Sequence, residues 1–417
     1  TKYEKRRQKD LKPFSFVHVA DLHLGYMQYN LDARLKDFTR AFDEVVEKTL
    51  ELKPDFMIIA GDIFHHARPS NFTLENAIKN FRKLKEAEIP VLAVDGSHDA
   101  APNIITGTIL NPLHSAGLIH YLPRLEGACW ENENCYIYGI PNFRTKKRTE
   151  EALPEFYKKN KPSPKPSKFN IFVFHMAVDL PGATPPYMEA EISPELIPEG
   201  FNYYAGGHVH TPVKLPFKNG ILVYSGCTET VSLQDIKNEK GFYHIEVNEK
   251  GTPKLQRIKL ESPRKFILLD MDFSGSMPQK ITEEAIKRIK EADEEEAVII
   301  PVIKGVLPSE ASRTDVDLAK IRSAAEKALV VRPILRLTES EVPEEIVRSI
   351  FESELKDLKT KSFEYFNQIF VERYPPEKAE KMARLAVEIL EPLVRKDEEK
   401  VKKALESFVS ENRNSNP

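Results

Sequence analysis

Apolar and polar positions alternate with two different periods over the first hundred residues, and this pattern predicts a repeated strand–helix unit. Short apolar runs start at Phe14, Phe56 and Pro90, and each ends in polar residues, as the strands of a parallel sheet covered on both faces do. Between these runs, apolar residues recur every three or four positions in 35–50 and in about 73–86, which is the spacing of amphipathic helices. The pattern predicts an open α/β sheet with its chemistry at one rim.

The later part of the chain predicts three more regions. Shorter strand-like runs continue to residue 261, interrupted by a proline-rich stretch at 161–168 that we expect to be an exposed loop. Residues 262–339 predict a small α+β domain, with strands at 265–271, 297–303 and 331–337 and helices at 283–292 and 318–329. Apolar stripes that include Ile346, Leu385 and Leu405 predict a helical tail over 340–417, which either packs on itself or receives a partner.

Composition places the chain among folded proteins without a membrane anchor. Hydrophobic residues make up 41% of its 417 residues and charged residues 30%, and no apolar run approaches the ~20 residues that cross a bilayer. Residues 1–13 do not form a signal peptide, because the run from Phe14 leads directly to Asp21, and we expect a flexible leader there. Three cysteines without zinc spacing imply no disulfide framework and a reducing, cytoplasmic setting.

The charge of the chain limits how it could bind nucleic acid. Its formal net charge is −3, so a broadly basic surface is absent. Binding to DNA would therefore need local patches, bound cations or a partner.

Residues with metal-binding side chains stand at the ends of five predicted strands. The run from Phe201 ends in two glycines followed by two histidines that are one residue apart. Glycine lets the backbone approach a ligand closely, and imidazole is a common ligand for transition metals. The five clusters are Asp21 and His23; Asp62; Ser97, His98 and Asp99; His175; and His208 and His210.

This mixture of side chains predicts a hydrolase with two metal ions. Carboxylates and imidazoles suit Mn²⁺, Fe²⁺ or Zn²⁺ better than Ca²⁺. A carboxylate such as Asp62 can bridge two ions ~3.5–4 Å apart, which activate a water and neutralise a phosphoryl oxygen. The sequence contains no Walker-type glycine loop and no Gly-x-Ser-x-Gly nucleophile elbow, so neither a P-loop NTPase core nor a serine hydrolase is indicated.

In their order along the chain, these motifs resemble the calcineurin-like metallophosphoesterases, which have two sheets flanked by helices. The resemblance covers about 14–261. More narrowly, the stretch 19–25, Gly61 to His65 and Arg68-Pro69 are similar to the SbcD-type nucleases of double-strand-break repair, the meiotic-recombination-eleven family, in an archaeal version. Residues 262–339 would then form a DNA-capping domain. The tail, 340–417, would bind a coiled-coil ABC ATPase of the SbcC or Rad-fifty type.

The resemblance also implies roles for individual residues. One metal would be held by Asp21, His23, Asp62 and His210, and the second by Asp62, Ser97, His175 and His208. His98 would assist the leaving oxygen and be oriented by Asp99, and His65 would lie near the substrate phosphate and favour exonuclease action. Two Mn²⁺ ions are expected, with Fe²⁺, Mg²⁺ or Zn²⁺ as alternatives.

Ser97 departs from the family pattern, which has Asn at this position. A serine hydroxyl is a shorter and weaker ligand than an amide oxygen. We therefore expect either a water that completes the second metal's shell or a reduced affinity there.

The resemblance implies DNA ends, hairpins and single strands as substrates, a homodimer, and a cytoplasmic, nucleoid-associated protein. Apolar residues such as Leu74 and Ile78 belong either to the core or to the dimer interface. The densest basic cluster of the catalytic domain is either a solvated loop or a DNA-backbone contact; it contains Arg144, Lys146, Lys147 and Arg148. Two other functions stay open: a phosphodiesterase or phosphatase for a small substrate, and a catalytically weakened scaffold that recruits the ATPase.

Overall fold

A computed structural model describes residues 11–100, 107–308, 310–339, 362–363, 366–367, 370–371, 374–394 and 397–413. The chain divides into two units, residues 1–264 and 265–417. Residues 1–10 of the predicted leader (1–13) and the predicted tail helix around Ile346 lie outside the described residues.

Two six-stranded sheets form the first unit. Its strands, in chain order, are β1 (Phe14–Val19), β2 (Phe56–Ala60), β3 (Val91–Val94), β4 (His120–Tyr121), β5 (Cys129–Glu131), β6 (Cys135–Gly139), β7 (Phe169–His175), β8 (Tyr203–Gly207), β9 (Val213–Phe217), β10 (Gly220–Tyr224), β11 (Gly241–Val247) and β12 (Pro253–Lys259). The first sheet has the order β12-β11-β1-β2-β3-β4 and the second β5-β6-β7-β8-β10-β9. Strands β1 to β4 are parallel to one another, as are β6, β7, β8 and β10.

The helices of the first unit cover the outer faces of these sheets. They are α1 (Asp32–Leu52), α2 (Asn71–Glu86), α3 (Leu110–Ser115) and α4 (Lys146–Lys159). Phe42 of α1 and Phe81 of α2 are buried against the first sheet, and Leu153 of α4 is buried on the outer face of the second. Phe16 and Ile171 belong to the core between the two sheets. The α/β fold class with two helix-flanked sheets is therefore confirmed.

The second unit contains a parallel sheet and further helices. Its described elements are β13 (Phe266–Asp272), α5 (Pro278–Glu291), β14 (Val298–Leu307), α6 (Leu318–Arg322), β15 (Val330–Val331), β16 (Ile334–Glu339), α7 (Pro376–Val394) and α8 (Glu398–Arg413). Strand β14 pairs in parallel with β13, β15 and β16. Helices α7 and α8 contact each other, so the predicted helical character of the tail is confirmed for the described residues.

The predicted helix at 318–329 is wrong in its second half, because α6 ends at Arg322. The Ser323 hydroxyl donates to the carbonyl of Ala319, a local hydrogen bond that competes with helix propagation. Further on, the Asp293 carboxylate accepts the backbone N–H groups of Glu326 and Ala328. These bonds hold the segment as a loop.

Candidate metal centre

The carboxyl ends of strands from both sheets meet at one place in the first unit. Asp21 follows β1 and Asp62 follows β2, while His175 ends β7 and His208 directly follows β8. The Nδ1–H of His175 donates to the carbonyl oxygen of Ala60 at 2.7 Å, which ties the second sheet to the first. The sequence therefore brings residues from distant parts of the chain to a common rim.

Two glycines make this approach possible. A Cβ on Gly207 would lie 1.8 Å from the carbonyl oxygen of Ala60, and a Cβ on Gly61 would lie 2.3 Å from Nδ1 of His175. Both distances are far inside van der Waals contact, so a larger residue would push the two sheets apart. The glycines that precede the motifs are required by packing as well as by turn geometry.

One group of ligand atoms is formed by Asp21, His23 and His210, which lie within 4.8 Å of one another. Nε2 of His23 is 3.3 Å from Nε2 of His210, and Nε2 of His210 is 3.7 Å from Oδ1 of Asp21. Asp21 and His23 are fully buried or nearly so. Three of the four residues expected at the first metal therefore converge.

The fourth residue, Asp62, joins this group to a second one. Its Oδ2 lies 3.8 Å from Nε2 of His23 and 3.2 Å from Nε2 of His175. Asp62, His175 and His208 form their own group within 4.8 Å. Asp62 thus stands between the two groups, where a bridging carboxylate would be needed.

The donor set fits divalent cations. Nε2 of His175 is completely buried and makes no hydrogen bond to another described residue, although it faces Asp62. A buried nitrogen of this kind carries a cost unless it receives a partner. A metal ion among carboxylates and imidazoles would supply that partner.

Without a cation, the charges of the site are compensated within the protein. Burial would raise the pKa of Asp62, but His175 holds this pKa well below its ordinary value. Burial opposes a charge on His175, but the Asp62 carboxylate raises the pKa of that imidazole to about 10. Burial raises the pKa of Asp21 to about 6. Bound cations would take over the role of the protonated imidazole.

His65 and His98 lie beside the first group. Nδ1 of His65 is 3.3 Å from Nδ1 of His23, and the His65 ring stacks on Tyr26 with 3.8 Å between centroids. Burial lowers the pKa of His65 to about 3. Nδ1 of His98 lies 2.9 Å from the carbonyl oxygen of His65.

Asp99 is buried at the same rim and accepts hydrogen bonds from two loops. Its carboxylate accepts the backbone N–H groups of Ile63, Phe64 and Gly96, so it fixes the loops after β2 and β3. Among the described residues, the carbonyl group of His65 and not Asp99 contacts the His98 ring. The expectation that Asp99 orients His98 stays a prediction.

Ser97 is half-buried at the same rim. The next residue, His98, donates its backbone N–H to Oδ1 of Asp62 at 2.9 Å. Ser97 is thus adjacent to the second group, and its role as a ligand stays a prediction.

The basic cluster is not a loop, because Lys146 begins α4 and Thr145 caps the helix through its side chain. Lys146, Lys147 and Arg148 are exposed, and Lys146 forms an ion pair with Asp179 at 3.0 Å. Arg144 and Arg148 line a cavity of about 690 Å³. Whether these residues contact DNA stays a prediction.

Sequence reasoning missed two carboxylates that contact the histidine motif. Oδ2 of Asp235 lies 3.0 Å from Nδ1 of His210, and Oε2 of Glu191 lies 3.4 Å from Nε2 of His208. Neither residue follows a strand of the parallel rim directly, so strand-end patterning gave no signal for them. A search for acidic residues in the long loops after β7 and β10 would have included both.

Comparison with known proteins agrees with this geometry. Residues 14–212 match the family described as calcineurin-like phosphoesterase, and the two helix-flanked sheets with their cluster of carboxylates and imidazoles define this class of protein. The chain is also similar to proteins named DNA double-strand break repair protein Mre11. That of Methanocaldococcus jannaschii is 32% identical over 327 residues, which cover 76% of this chain and 82% of the relative. The chain belongs to the Mre11 family.

Two further relatives of the same name extend the match. The Methanococcus maripaludis protein is 29% identical over 304 residues, which cover 70% of this chain and 79% of the relative. The Thermoplasma acidophilum protein is 27% identical over 418 aligned positions, which cover 96% of this chain and 100% of the relative. The similarity therefore extends beyond the phosphoesterase domain. Within the described residues, every helix is too short or too polar to span a bilayer.

Proposed function

We propose that the protein is a two-metal DNA phosphodiesterase that processes ends in double-strand-break repair. It would act as an exonuclease on duplex ends and as an endonuclease on single strands, with Mn²⁺ as the preferred ion. The observation that carries this proposal is the convergence of two ligand groups that share the rim around Asp62. Membership of the Mre11 family supports DNA as the substrate.

The residues divide into two metal shells in this proposal. Asp21, His23, Asp62 and His210 hold one cation, and Asp62, Ser97, His175 and His208 hold the other. When bound, the cations supply an activated water and neutralise the phosphoryl oxygens.

His98 and His65 act on the substrate rather than on the metals. The His65 carbonyl accepts from Nδ1 of His98, which leaves Nε2 of His98 to donate a proton to the leaving oxygen when the ring is charged. The His65 ring, which stacks on Tyr26, orients the phosphate. Substitution of His65 is expected to impair exonuclease more than endonuclease action.

A coiled-coil ABC ATPase of the Rad-fifty type and a second copy of the chain are the proposed partners. The relatives' repair function supports a multiprotein assembly, and amphipathic helices such as α7 and α8 are common docking elements. Leu393 and Leu405 are exposed at 52% and 41%, as expected of helices that receive a partner. Leu74 and Ile78 are half-buried and pack against the core. Their exposed parts remain available for a dimer interface, which we propose there.

The decisive experiment compares labelled duplex DNA, single-stranded DNA and a small phosphodiester as substrates, with Mn²⁺ and with Mg²⁺. We expect cleavage of DNA with Mn²⁺ and its loss, by a factor of about 10³ or more, in Asp62→Asn. His65→Ala should lower exonuclease activity, whereas His66→Ala serves as a matched control because His66 is its exposed neighbour. Rapid turnover of the small ester without DNA cleavage would select the small-substrate alternative. No turnover of either substrate would favour the scaffold.

A further inference from the structure

The two histidines of the 207–210 motif use different ring nitrogens in their contacts with carboxylates. His210 presents Nδ1 to Oδ2 of Asp235 at 3.0 Å, whereas His208 presents Nε2 to Oε2 of Glu191 at 3.4 Å. A neutral imidazole carries one N–H, and the nitrogen that donates it leaves a lone pair on the other. The hydrogen bond to Asp235 selects the Nδ1–H tautomer of His210, whereas a proton on Nε2 of His208 would face Glu191 at 3.4 Å.

This selection points the free nitrogens at different ligand groups. With Nδ1 of His210 occupied by Asp235, Nε2 faces Nε2 of His23 at 3.3 Å and Oδ1 of Asp21 at 3.7 Å. If Nε2 of His208 carries the proton that faces Glu191, Nδ1 is left as the ligand atom for the group that contains Asp62 and His175. Glu191 itself belongs to neither of these ligand groups among the described residues. It therefore contacts the ligand His208 and lies outside the ligand cluster.

Both carboxylates are fixed by hydrogen bonds of their own. Oδ2 of Asp235 accepts the backbone N–H groups of Val231 and Ser232 and is 1% exposed as a residue. Oε2 of Glu191 accepts the N–H of Ala177 at 3.3 Å, and its side chain is 12% exposed. The two residues come from separate loops, after β7 and after β10. Each can therefore hold its histidine independently of the other.

His208 has a special need for such a restraint. Its φ is +86°, a left-handed conformation that is uncommon for residues other than glycine, and its N–H contacts both carboxylate oxygens of Asp21 at 3.2 and 3.1 Å. The backbone N–H of His208 thus binds Asp21 of the first ligand group, while its ring belongs to the second group, with Asp62 and His175. A contact that restrains the ring would keep it oriented towards the second group while the backbone N–H points to Asp21.

We propose that Glu191 and Asp235 are positioning residues, each of which sets the tautomer of one histidine and thereby the affinity of one metal site. Asp235 controls the site of Asp21 and His23, and Glu191 controls the site of Asp62 and His175. This inference rests on the two-metal part of the proposed function. Carboxylates that hold ligating histidines in this way change metal affinity by about 10- to 100-fold when they are removed.

The first test is a Mn²⁺ titration of the full chain, in which electron paramagnetic resonance measures the concentration of free Mn²⁺. In Glu191→Ala one of two binding steps should weaken by about 10- to 100-fold, and in Asp235→Ala, which likewise removes the acceptor, the other step should weaken by a similar factor. Glu189→Ala and Glu239→Ala are the controls, because both residues are exposed and close in sequence. The proposal would be overturned if both Mn²⁺ dissociation constants of Glu191→Ala were within twofold of the wild-type values. Equal weakening of both binding steps would also overturn it.

The second test reads the tautomers directly and needs no metal. In protein labelled with ¹⁵N-histidine and kept at a mildly alkaline pH, two-bond N–H couplings should show the proton on Nε2 of His208 and on Nδ1 of His210. Glu191→Ala should change the pattern of His208 alone, and Glu191→Gln, which keeps an acceptor, should restore it. A wild-type proton on Nδ1 of His208 would refute the inference.

The two tests separate failure of the inference from failure of the proposed function. A wild-type protein that binds fewer than two Mn²⁺ ions would contradict the proposed function. Two bound ions with unchanged affinities in Glu191→Ala would contradict the inference alone.

Discussion

Four candidate ligands have left-handed backbone conformations, and this concentrates strain at the metal centre. The φ angles of Asp21, His23, Asp62 and His208 are +55°, +46°, +50° and +86°. Each such residue costs of the order of 1–3 kcal/mol unless its surroundings hold it. The N–H of Asp21 donates to the carbonyl of Gly61 and that of His23 to the carbonyl of Asp62. The loops after β1 and β2 therefore fix each other, and the ligands are aimed before any cation binds.

Ser97 gives the sharpest prediction for a single ligand. Because an amide oxygen reaches further than a hydroxyl, Ser97→Asn should tighten the weaker of two Mn²⁺ binding steps by about one order of magnitude. Ser97→Ala should change either step much less. Isothermal titration calorimetry measures both. Two equally tight wild-type sites, one of which disappears in Ser97→Ala, would contradict the weak role given to this hydroxyl.

Asp95 provides a pH-dependent test of burial beside the centre. Burial raises its pKa from 3.8 to about 6, although the Tyr121 hydroxyl donates to it. The folded state therefore binds this proton more tightly than the unfolded state, and stability is lost as the pH rises from 3.8 to 6.

Asp95→Asn removes the titrating group. Its free energy of unfolding should improve relative to the wild type by about 3 kcal/mol between pH 4 and pH 7, as measured by urea unfolding with a chelator. A difference between the two proteins that does not change with pH would contradict the raised pKa.

At the scale of elements, strand ends were predictable and loop contacts were not. Asp21, Asp62, His175 and His208 could be placed together because parallel strands bring their carboxyl ends to one edge. Glu191 and Asp235 lie in long loops whose paths depend on tertiary packing, so no periodic pattern marks them. The helix expected to reach Leu329 failed for a related reason, since Asp293, 33 residues before Glu326, binds the backbone there.

Helix α4 starts with cations, which is unfavourable for the helix itself. Lys146, Lys147 and Arg148 lie in its first turn, where the helix dipole disfavours positive charge by about 0.3–1 kcal/mol each. The double change Lys147→Glu and Arg148→Glu should therefore leave the fold intact. If these residues contact the phosphate backbone, the change should weaken DNA binding and reduce the salt slope by about one for each lost contact.

The other end of α4 supplies the matched control. Lys158→Glu with Lys159→Glu introduces the same charge change at exposed positions of the same helix. Fluorescence anisotropy at several salt concentrations measures both variants. If the DNA-binding constants of the two double variants depended equally on salt concentration, the basic cluster would be solvent-exposed and would not contact DNA.

At the scale of the whole molecule, a buried ion network ties Arg264, the last residue of the first unit, to helix α1. Oδ2 of Asp37 lies 2.6 Å from Nη1 of the buried Arg34 and 2.5 Å from Nε of Arg264. Arg34 is also 3.3 Å from Glu229. Removal of one partner from a buried ion network leaves charge without compensation, which is expensive.

Arg34→Ala should therefore destabilise the protein by about 3–5 kcal/mol, because the buried Glu229 carboxylate loses the guanidinium that lies 3.3 Å away. Arg40→Ala is its control, because Arg40 pairs with the same Asp37 at 2.5 Å but is 53% exposed, and an exposed pair contributes about 1 kcal/mol or less. Chemical unfolding monitored by circular dichroism measures both. Similar losses for the two variants would show that burial does not decide the strength of this network.

The most direct test of the metal centre is anomalous X-ray diffraction from crystals grown with Mn²⁺. The account predicts two peaks ~3.5–4 Å apart, with the Asp62 carboxylate between them, Asp21, His23 and His210 around one, and His175 and His208 around the other. A single peak, or ions bound away from these side chains, would contradict it.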